Sequence, residues 1–268
     1  MRLLLGLAAT LAVLLAACGG GDDNESAGTG TPSSPAGGSP AAAATVAPGS
    51  PTAAATVEDR AEVEALLKAA ALRLEDLPSG YTLDNEAFTT NEESADNESD
   101  LLGGPTLEDL NRFGRILGYE ASYSQESSLG SLLEGGTLSL QVTTTIYQKS
   151  DGADESFEWV RDQASDPAFV DAFEQSFANS PGVEVKDASL TPMSFADLGD
   201  ERLAYEFKVS AHSTDLNQDI DFIARLVGVR RNRVVGSITV LAVNSAPPVE
   251  ELERLARILD ERVKDALE

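Results

Sequence analysis

The sequence predicts an α+β fold in which a central antiparallel sheet is packed against helices mainly on one face. Three observations predict this fold. Polar and apolar residues alternate from Leu138 to Ile146, as in a half-buried strand. Two apolar stretches, 220–229 and 234–243, flank a tight turn at Asn232. The chain then ends in an amphipathic helix, and consecutive strands followed by a covering helix are typical of this class.

The N-terminal residues 1–17 predict a signal peptide. Arg2 precedes an apolar run from Leu3 to Ala17, which is short for a membrane span of about 20 residues. The run ends in Leu15-Ala16-Ala17-Cys18, which resembles the lipobox of bacterial lipoproteins. The resemblance implies cleavage after Ala17 and attachment of diacylglycerol to the Cys18 thiol. The alternative is an ordinary secretory signal with an incidental cysteine.

Residues 18–56 are rich in Gly, Ser, Thr, Pro and Ala. Such a stretch cannot bury enough apolar surface to offset the entropy of ordering, so it predicts a lipidated, flexible linker. Residues 57–268 are long enough for a single α+β domain with a sizeable core. Cys18 is the one cysteine of the chain, so this domain has no disulfide and depends on its core for stability.

The first elements of the domain are a helix and a strand. Apolar residues at helical spacing predict a helix over Val57–Leu72 with Thr56 as its N-cap. Tyr81–Phe88 is predicted as a strand. The segment Asp84–Asp100 carries seven acidic residues and no basic one, so most of it is predicted to be a mobile loop.

Three helices are predicted around the first clear strand. One covers Thr106–Leu117, with Thr106 at its N-cap and Gly118 at its end. After the 138–146 strand, a helix lined by Phe157 is followed by a second helix that Asp166 caps, with Pro167 in its first turn.

The last third of the chain predicts three strands and the C-terminal helix. Residues 203–209 alternate between large apolar residues and charged or small ones, as in a strand. The stretch 234–243 is apolar on both faces, which suits a central strand. Pro247 and Pro248 precede the helix. Its acidic and basic residues stand four apart, as in Asp260 and Lys264, and are expected to pair.

The order of these features resembles a known family. It comprises Leu77-Pro78-Ser79-Gly80-Tyr81, a long strand followed by a helix with an aromatic pair, Leu198-Gly199-Asp200-Glu201 before a strand, the Arg-Asn hairpin and the terminal helix. The family is that of actinobacterial and related lipoproteins whose domain resembles the extracellular sensor domain of mycobacterial serine/threonine kinases. A remoter similarity is to the PsbP/Mog1-type α/β/α fold.

The resemblance implies a central antiparallel sheet and a cleft that binds a ligand. The kinase sensor domains are held by disulfides, whereas residues 57–268 contain no cysteine. Cleft residues tied to those bridges therefore have no counterpart here, and no ligand-binding residue is carried over.

The formal net charge of −26 restricts the partners. It argues against nucleic acid, whose binding requires Lys and Arg to neutralise phosphates, and against electrostatic docking on anionic lipid. The one basic cluster comprises Arg230, Arg231 and Arg233. It is interpreted as a soluble turn that offsets nearby acids, the alternative being a patch for an anionic ligand.

No catalytic or metal-binding motif is present, so neither an enzymatic activity nor a cofactor is predicted. The single histidine, His212, lies near Ser210, Ser213 and Asp215. Side chains so close in sequence rarely form a catalytic triad, and a solvent-facing histidine at a strand end is the preferred interpretation.

Asp215-x-Asn217-x-Asp219-x-Asp221 begins like a calcium-binding loop. Ile220 stands where such a loop needs glycine, and Leu226 where it needs a bidentate glutamate. A solvated strand face explains the same spacing. The remaining conspicuous residues are interpreted as core: Phe157, Trp159, Phe169, Phe173 and Phe177.

The sequence therefore favours a lipoprotein anchored at Cys18 to the outer face of the cell membrane. The first hypothesis is a domain that binds a small or lipid-like ligand in an apolar cleft between sheet and helices. The alternative is a structural or interaction protein of the cell envelope, which an exposed apolar patch without a pocket would favour.

Overall fold

The structure is a computed structural model that describes residues 59–98, 104–125 and 128–268. The predicted signal peptide, Cys18 and the linker lie outside the described residues. The α+β class is confirmed. The described elements are, in chain order, α1 (Arg60–Ala70), β1 (Tyr81–Thr89), α2 (Asn91–Glu98), α3 (Leu107–Arg112), β2 (Arg115–Gln125), α4 (Leu129–Glu134), β3 (Gly136–Tyr147), α5 (Ser150–Ser165), α6 (Pro167–Ala178), β4 (Val183–Pro192), β5 (Glu201–Ser213), β6 (Gln218–Arg231), β7 (Val234–Val243) and α7 (Val249–Leu267).

The seven strands form one antiparallel sheet in the order β1-β2-β3-β7-β6-β5-β4. The sequence predicted a central position for β7, and β7 indeed pairs with β3 on one side and β6 on the other. The β6–β7 hairpin turns at Asn232, whose φ of 51° is the left-handed conformation that asparagine tolerates.

The first face of the sheet carries the main hydrophobic core. Side chains alternate along a strand, so every second residue of β3 and β7 reaches this face. Leu140, Val142, Ile146, Ile238 and Val240 pack there against the buried stripes of α1 and α7. The Thr144 hydroxyl also donates a hydrogen bond of 2.9 Å to the Leu67 carbonyl of α1.

Helices cover the second face as well, which corrects the expectation that they lie mainly on one face. Phe177 of α6 belongs to a core cluster with Phe207 and Phe222, and Ala153 of α5 to another with Phe113 and Tyr147. Leu138 also packs on this face, not with Leu140 as the alternation predicts. A β-bulge between Thr137 and Ser139 changes the register there.

The acidic segment is not the predicted loop where the structure describes it. Its first part extends β1 to Thr89, and its second part forms α2. Arg115 of β2 orders the junction, because its guanidinium donates to the Thr89 carbonyl at 3.1 Å and to the Asn91 side-chain oxygen at 3.0 Å. Long-range hydrogen bonds thus decide the conformation of a segment that is locally polar.

Two helix predictions are wrong at one end. Asp59 rather than Thr56 is the N-cap of α1, and its carboxylate accepts the Ala61 N–H at 3.0 Å. Thr106 is confirmed as the N-cap of α3, but this helix ends at Arg112 and not near Gly118. Gly118 lies within β2, a strand that the sequence pattern does not predict.

Candidate functional site

A pocket of about 140 Å³ opens on the first face of the sheet, beside the first turns of α7. Leu140 and Val240 of adjacent strands form its floor, and Leu252 and Leu255 of α7 form a wall. The two leucines stand three residues apart, so they share the helix face that meets the sheet. The pocket therefore lies between sheet and helix, where the sequence predicts an apolar cleft.

The beginning of α7 leaves space at this end of the sheet. Pro247 lines the pocket and Pro248 is the N-cap of the helix. A proline there suits the start of a helix because it lacks the N–H that would remain unpaired. Pro78 and Tyr81, at the start of β1, enclose the pocket from the opposite side.

Polar groups gather in one part of the pocket lining. The Thr137 side chain and the Glu251 carboxylate both lie near the Tyr81 phenol. Burial raises the pKa of Tyr81, and Glu251 raises it further, so the hydroxyl stays protonated and can donate. Glu251 itself pairs with Arg254 at 2.8 Å. The pocket is therefore apolar with a few hydrogen-bonding groups.

The volume limits what the pocket can hold. A cavity of about 150 Å³ lined by apolar residues accommodates benzene, whereas sites for drug-sized ligands measure roughly 300–1,000 Å³. This pocket, at about 140 Å³, fits one ring or a short branched chain. It can thus hold the apolar end of a larger ligand whose remainder lies outside.

The second face contains a different feature, a polar floor formed by seven residues of the three neighbouring strands β2, β3 and β7. The polar floor comprises Glu120, Ser122, Gln141, Thr143, Thr145, Ser237 and Thr239. Register makes it contiguous, because Glu120 lies opposite Thr143 and Thr143 opposite Ser237. In the next row, Gln141 lies between Ser122 and Thr239.

Glu120 is the buried acid of this floor. Its side-chain Oε1 accepts hydrogen bonds from the Gln141 amide and from the Ser122 hydroxyl, the latter at 3.3 Å. The residue is only 6% exposed. Burial raises its pKa to about 8 although both hydrogen bonds lower it. Within the described part of the chain, its Oε2 is buried without a hydrogen-bond partner.

The sequence predicts an apolar cleft between sheet and helices but not the residues that line it, and it does not predict the polar floor. Glu120 belongs to β2, the strand it missed, and the pocket joins residues from β1, β3, β7 and α7 that are distant in the chain. The alternation of Gln141, Thr143 and Thr145 with apolar residues is the one visible signal, and it predicts only a half-buried strand.

His212 does not form a triad. Its Nδ1 lies 2.8 Å from an Asp219 carboxylate oxygen. Ser210 instead donates to Asp221 at 2.6 Å. These pairs use Asp219 and Asp221 separately, and Asp215 belongs to neither. The interpretation of His212 as a strand-end residue without a triad agrees with this geometry.

The acidic residues of the 215–221 segment do not converge on one point. Lys186 pairs with Asp219 at 2.6 Å and Lys208 with Asp221 at 2.7 Å. Over the described ranges, no group of three or more His, Cys, Asp or Glu residues is arranged to hold a metal ion. The lysines pair with these acids as they would on a solvated strand face.

The arginine cluster lies among acids, as the sequence predicts. Arg230 is 2.7 Å from Asp154 and 3.3 Å from Glu201, while Arg231 pairs with Asp260. Phe157 and Phe177 are 2% exposed and belong to the interior. Trp159 is partly buried against the cluster of Phe113, Tyr147 and Ala153.

Comparisons with known proteins yield a structural similarity but no family. No family model matches the chain, and no curated protein matches it. A solved structure, the extracellular domain of PknH from Mycobacterium tuberculosis, is similar with a TM-score of 0.39 and 11% sequence identity. The match covers 76% of this chain and 96% of that one. At this TM-score the similarity carries no argument about the family, the site or the function of this chain.

A search of the described helices for membrane spans finds none of sufficient length and hydropathy.

Proposed function

We propose that this protein is a lipoprotein anchored through Cys18 outside the cytoplasm, and that its domain binds or senses a small or lipid-like ligand. The observation that carries the proposal is the pocket of about 140 Å³ between the sheet and α7. Its leucine and valine walls suit the apolar end of the ligand, while Gln125, Thr137 and Glu251 can fix a polar group beside it.

Two observations favour binding over the alternatives. The pocket contains a single carboxylate, that of Glu251, which is paired with Arg254. Such a site lacks the pair of perturbed acids that would suggest acid–base catalysis. Among the described residues, the exposed large apolar side chains are four leucines in separate segments: Leu74, Leu83, Leu107 and Leu216.

Native mass spectrometry of the full chain, extracted in mild detergent, tests the function. We expect an added mass that disappears on denaturation, whereas a covalent lipid at Cys18 remains on the denatured chain. Val240→Phe should abolish the noncovalent mass because the ring fills the pocket. Val235→Phe, a change in the same strand on the second face, should retain it. A noncovalent mass that persists in Val240→Phe would place the ligand elsewhere.

Benzene binding tests the pocket itself. The methyl resonances of Leu140 and Leu255 should shift saturably with benzene, and those of Leu138 on the second face should not. Unshifted Leu140 and Leu255 resonances would contradict the proposed binding site.

Cys18→Ser tests the anchor separately, since this variant should lose incorporation of labelled palmitate. Undiminished labelling would contradict anchoring at Cys18.

A further inference from the structure

The polar floor contrasts with the other side of the same strands. Sheets covered by helices on both faces are normally apolar on both. On the first face, β3 and β7 contribute leucine, isoleucine and valine to the core. On the second face the same strands contribute Thr143, Thr145 and Thr239, each at most 6% exposed, together with Gln141 and Ser237. Packing alone does not account for buried hydroxyls in the centre of a sheet.

The apolar clusters of the second face stop on either side of the polar floor. One contains Phe177, Phe222 and Leu241, and the other contains Phe113 and Tyr147. Ser122, Gln141 and Ser237 between them are only half-buried. Solvent therefore reaches part of the floor at these three residues.

One hydrogen-bonding atom of Glu120 in the polar floor has no partner among the described residues. A buried polar atom without a partner costs about 1–3 kcal/mol, and native structures rarely contain one unless water or a ligand completes it. Within the described residues, Oε2 of Glu120 is such an atom, while Oε1 is held by Gln141 and Ser122. The carboxyl group is thus oriented by its neighbours and has one oxygen left for a further partner.

The chemistry of the polar floor restricts that partner. Its seven residues include no lysine or arginine, so the floor itself supplies no counter-charge for an anion, and the nearby Arg115 donates to Thr89 and Asn91. A cation would require an ionised carboxylate at a buried position, which desolvation opposes. Hydroxyl and amide groups both donate and accept hydrogen bonds, as do the hydroxyls of a sugar.

We propose that the polar floor is a second binding site, separate from the apolar pocket, for a neutral, hydroxyl-rich ligand of the carbohydrate or polyol class. A ligand hydroxyl supplies the partner of Glu120 Oε2, and the serine, threonine and glutamine side chains bind neighbouring hydroxyls. This site does not depend on the function proposed for the pocket, because the two lie on opposite faces of the sheet.

Threonine-methyl NMR of the full chain tests the proposal. Glucose, N-acetylglucosamine and myo-inositol are titrated separately, with methylammonium chloride as the cationic comparison. We expect at least one neutral probe to shift Thr143, Thr145 and Thr239 saturably. Thr144 is the internal control, because it belongs to the same strand but faces α1. No saturable shift with any neutral probe, or a shift with methylammonium alone, would overturn the proposal.

Variants of Glu120 test its role. Glu120→Leu should weaken binding of the responding sugar by about tenfold or more, since it removes the hydrogen-bonding group. Glu120→Gln retains a donor and an acceptor and should stay within about threefold of the wild type. Thr191→Val, on the edge strand β4, should leave affinity unchanged. Equal affinity in the Leu and wild-type proteins, with both folded by circular dichroism, would contradict the assignment of Glu120.

Discussion

Arg231 at the end of β6 forms a two-pronged ion pair with Asp260 in α7, with Nε–Oδ1 and Nη2–Oδ2 distances of 2.5 and 2.8 Å. Asp260 also accepts the Gly199 N–H at 3.3 Å. The helical spacing predicts a pair between Asp260 and Lys264, but Lys264 lies beside Glu261 instead, at 3.9 Å. A partner from the sheet takes precedence because Asp260 faces the interior, where an unpaired carboxylate would be costly.

Asp260→Ala should lower the free energy of unfolding by about 3 kcal/mol, because Arg231 and the Gly199 N–H lose their buried partner. Urea denaturation followed by circular dichroism measures the change. Glu261→Ala removes an exposed carboxylate from the same helix and should cost less than about 0.5 kcal/mol. Equal losses in the two variants would show that the pair contributes nothing specific.

Glu120→Gln should change how stability depends on pH. The folded protein raises the pKa of Glu120 to about 8 through burial, so between about pH 4.5 and 8 the folded state binds more protons than the unfolded state. Stability from this group is therefore present at low pH and is lost as pH rises through that window, by on the order of 5 kcal/mol in total.

The glutamine variant cannot titrate and should lose this decline. Urea denaturation at pH 5, 6, 7 and 8 gives the comparison, with Glu134→Gln as an exposed control in α4. A slope in Glu120→Gln as steep as in the wild type would mean that another group is responsible.

Gly152→Ala should destabilise the contact between α5 and the end of α3. A Cβ at position 152 would lie 1.8 Å from the Phe113 carbonyl oxygen, so the helix must move away. We expect a loss of about 1–3 kcal/mol, as for other overpacked sites. Gly130→Ala has no such contact, its nearest neighbour being 3.8 Å away, and should be neutral or stabilising by up to about 1 kcal/mol. Thermal denaturation of the two alanine variants distinguishes these outcomes.

Leu67→Ala should leave a cavity between α1 and the first face. Leu67 is fully buried, with 0% exposure, so the loss should be about 3–5 kcal/mol in the free energy of unfolding. Leu66, its half-buried neighbour, provides the control, and Leu66→Ala should cost clearly less. Chemical denaturation of both variants gives the difference, and a cost for Leu67→Ala no greater than for Leu66→Ala would contradict its place in the core.

Predictions from the sequence succeeded where the local pattern is strong. The alternation within β3 from Leu140 onward, the cap at Asp166 and the turn at Asn232 each indicate a structure through the residue's own backbone preference or its near neighbours, and the structure contains all three. They failed for β2 and for α2. Gly118 is typical of a helix end, yet this residue lies in a strand that β1 and β3 flank.

The sequence by itself determined the α+β class, the central position of β7 and the amphipathic C-terminal helix, because hydrophobic periodicity records which side of an element is buried. It also predicts the lipid anchor at Cys18. Only the tertiary structure decided which residues meet: Leu255 with Val240 at the pocket, and Glu120 with Gln141 on the polar floor. Strand register and helix docking bring these residues together across long stretches of chain, and no local pattern encodes that pairing.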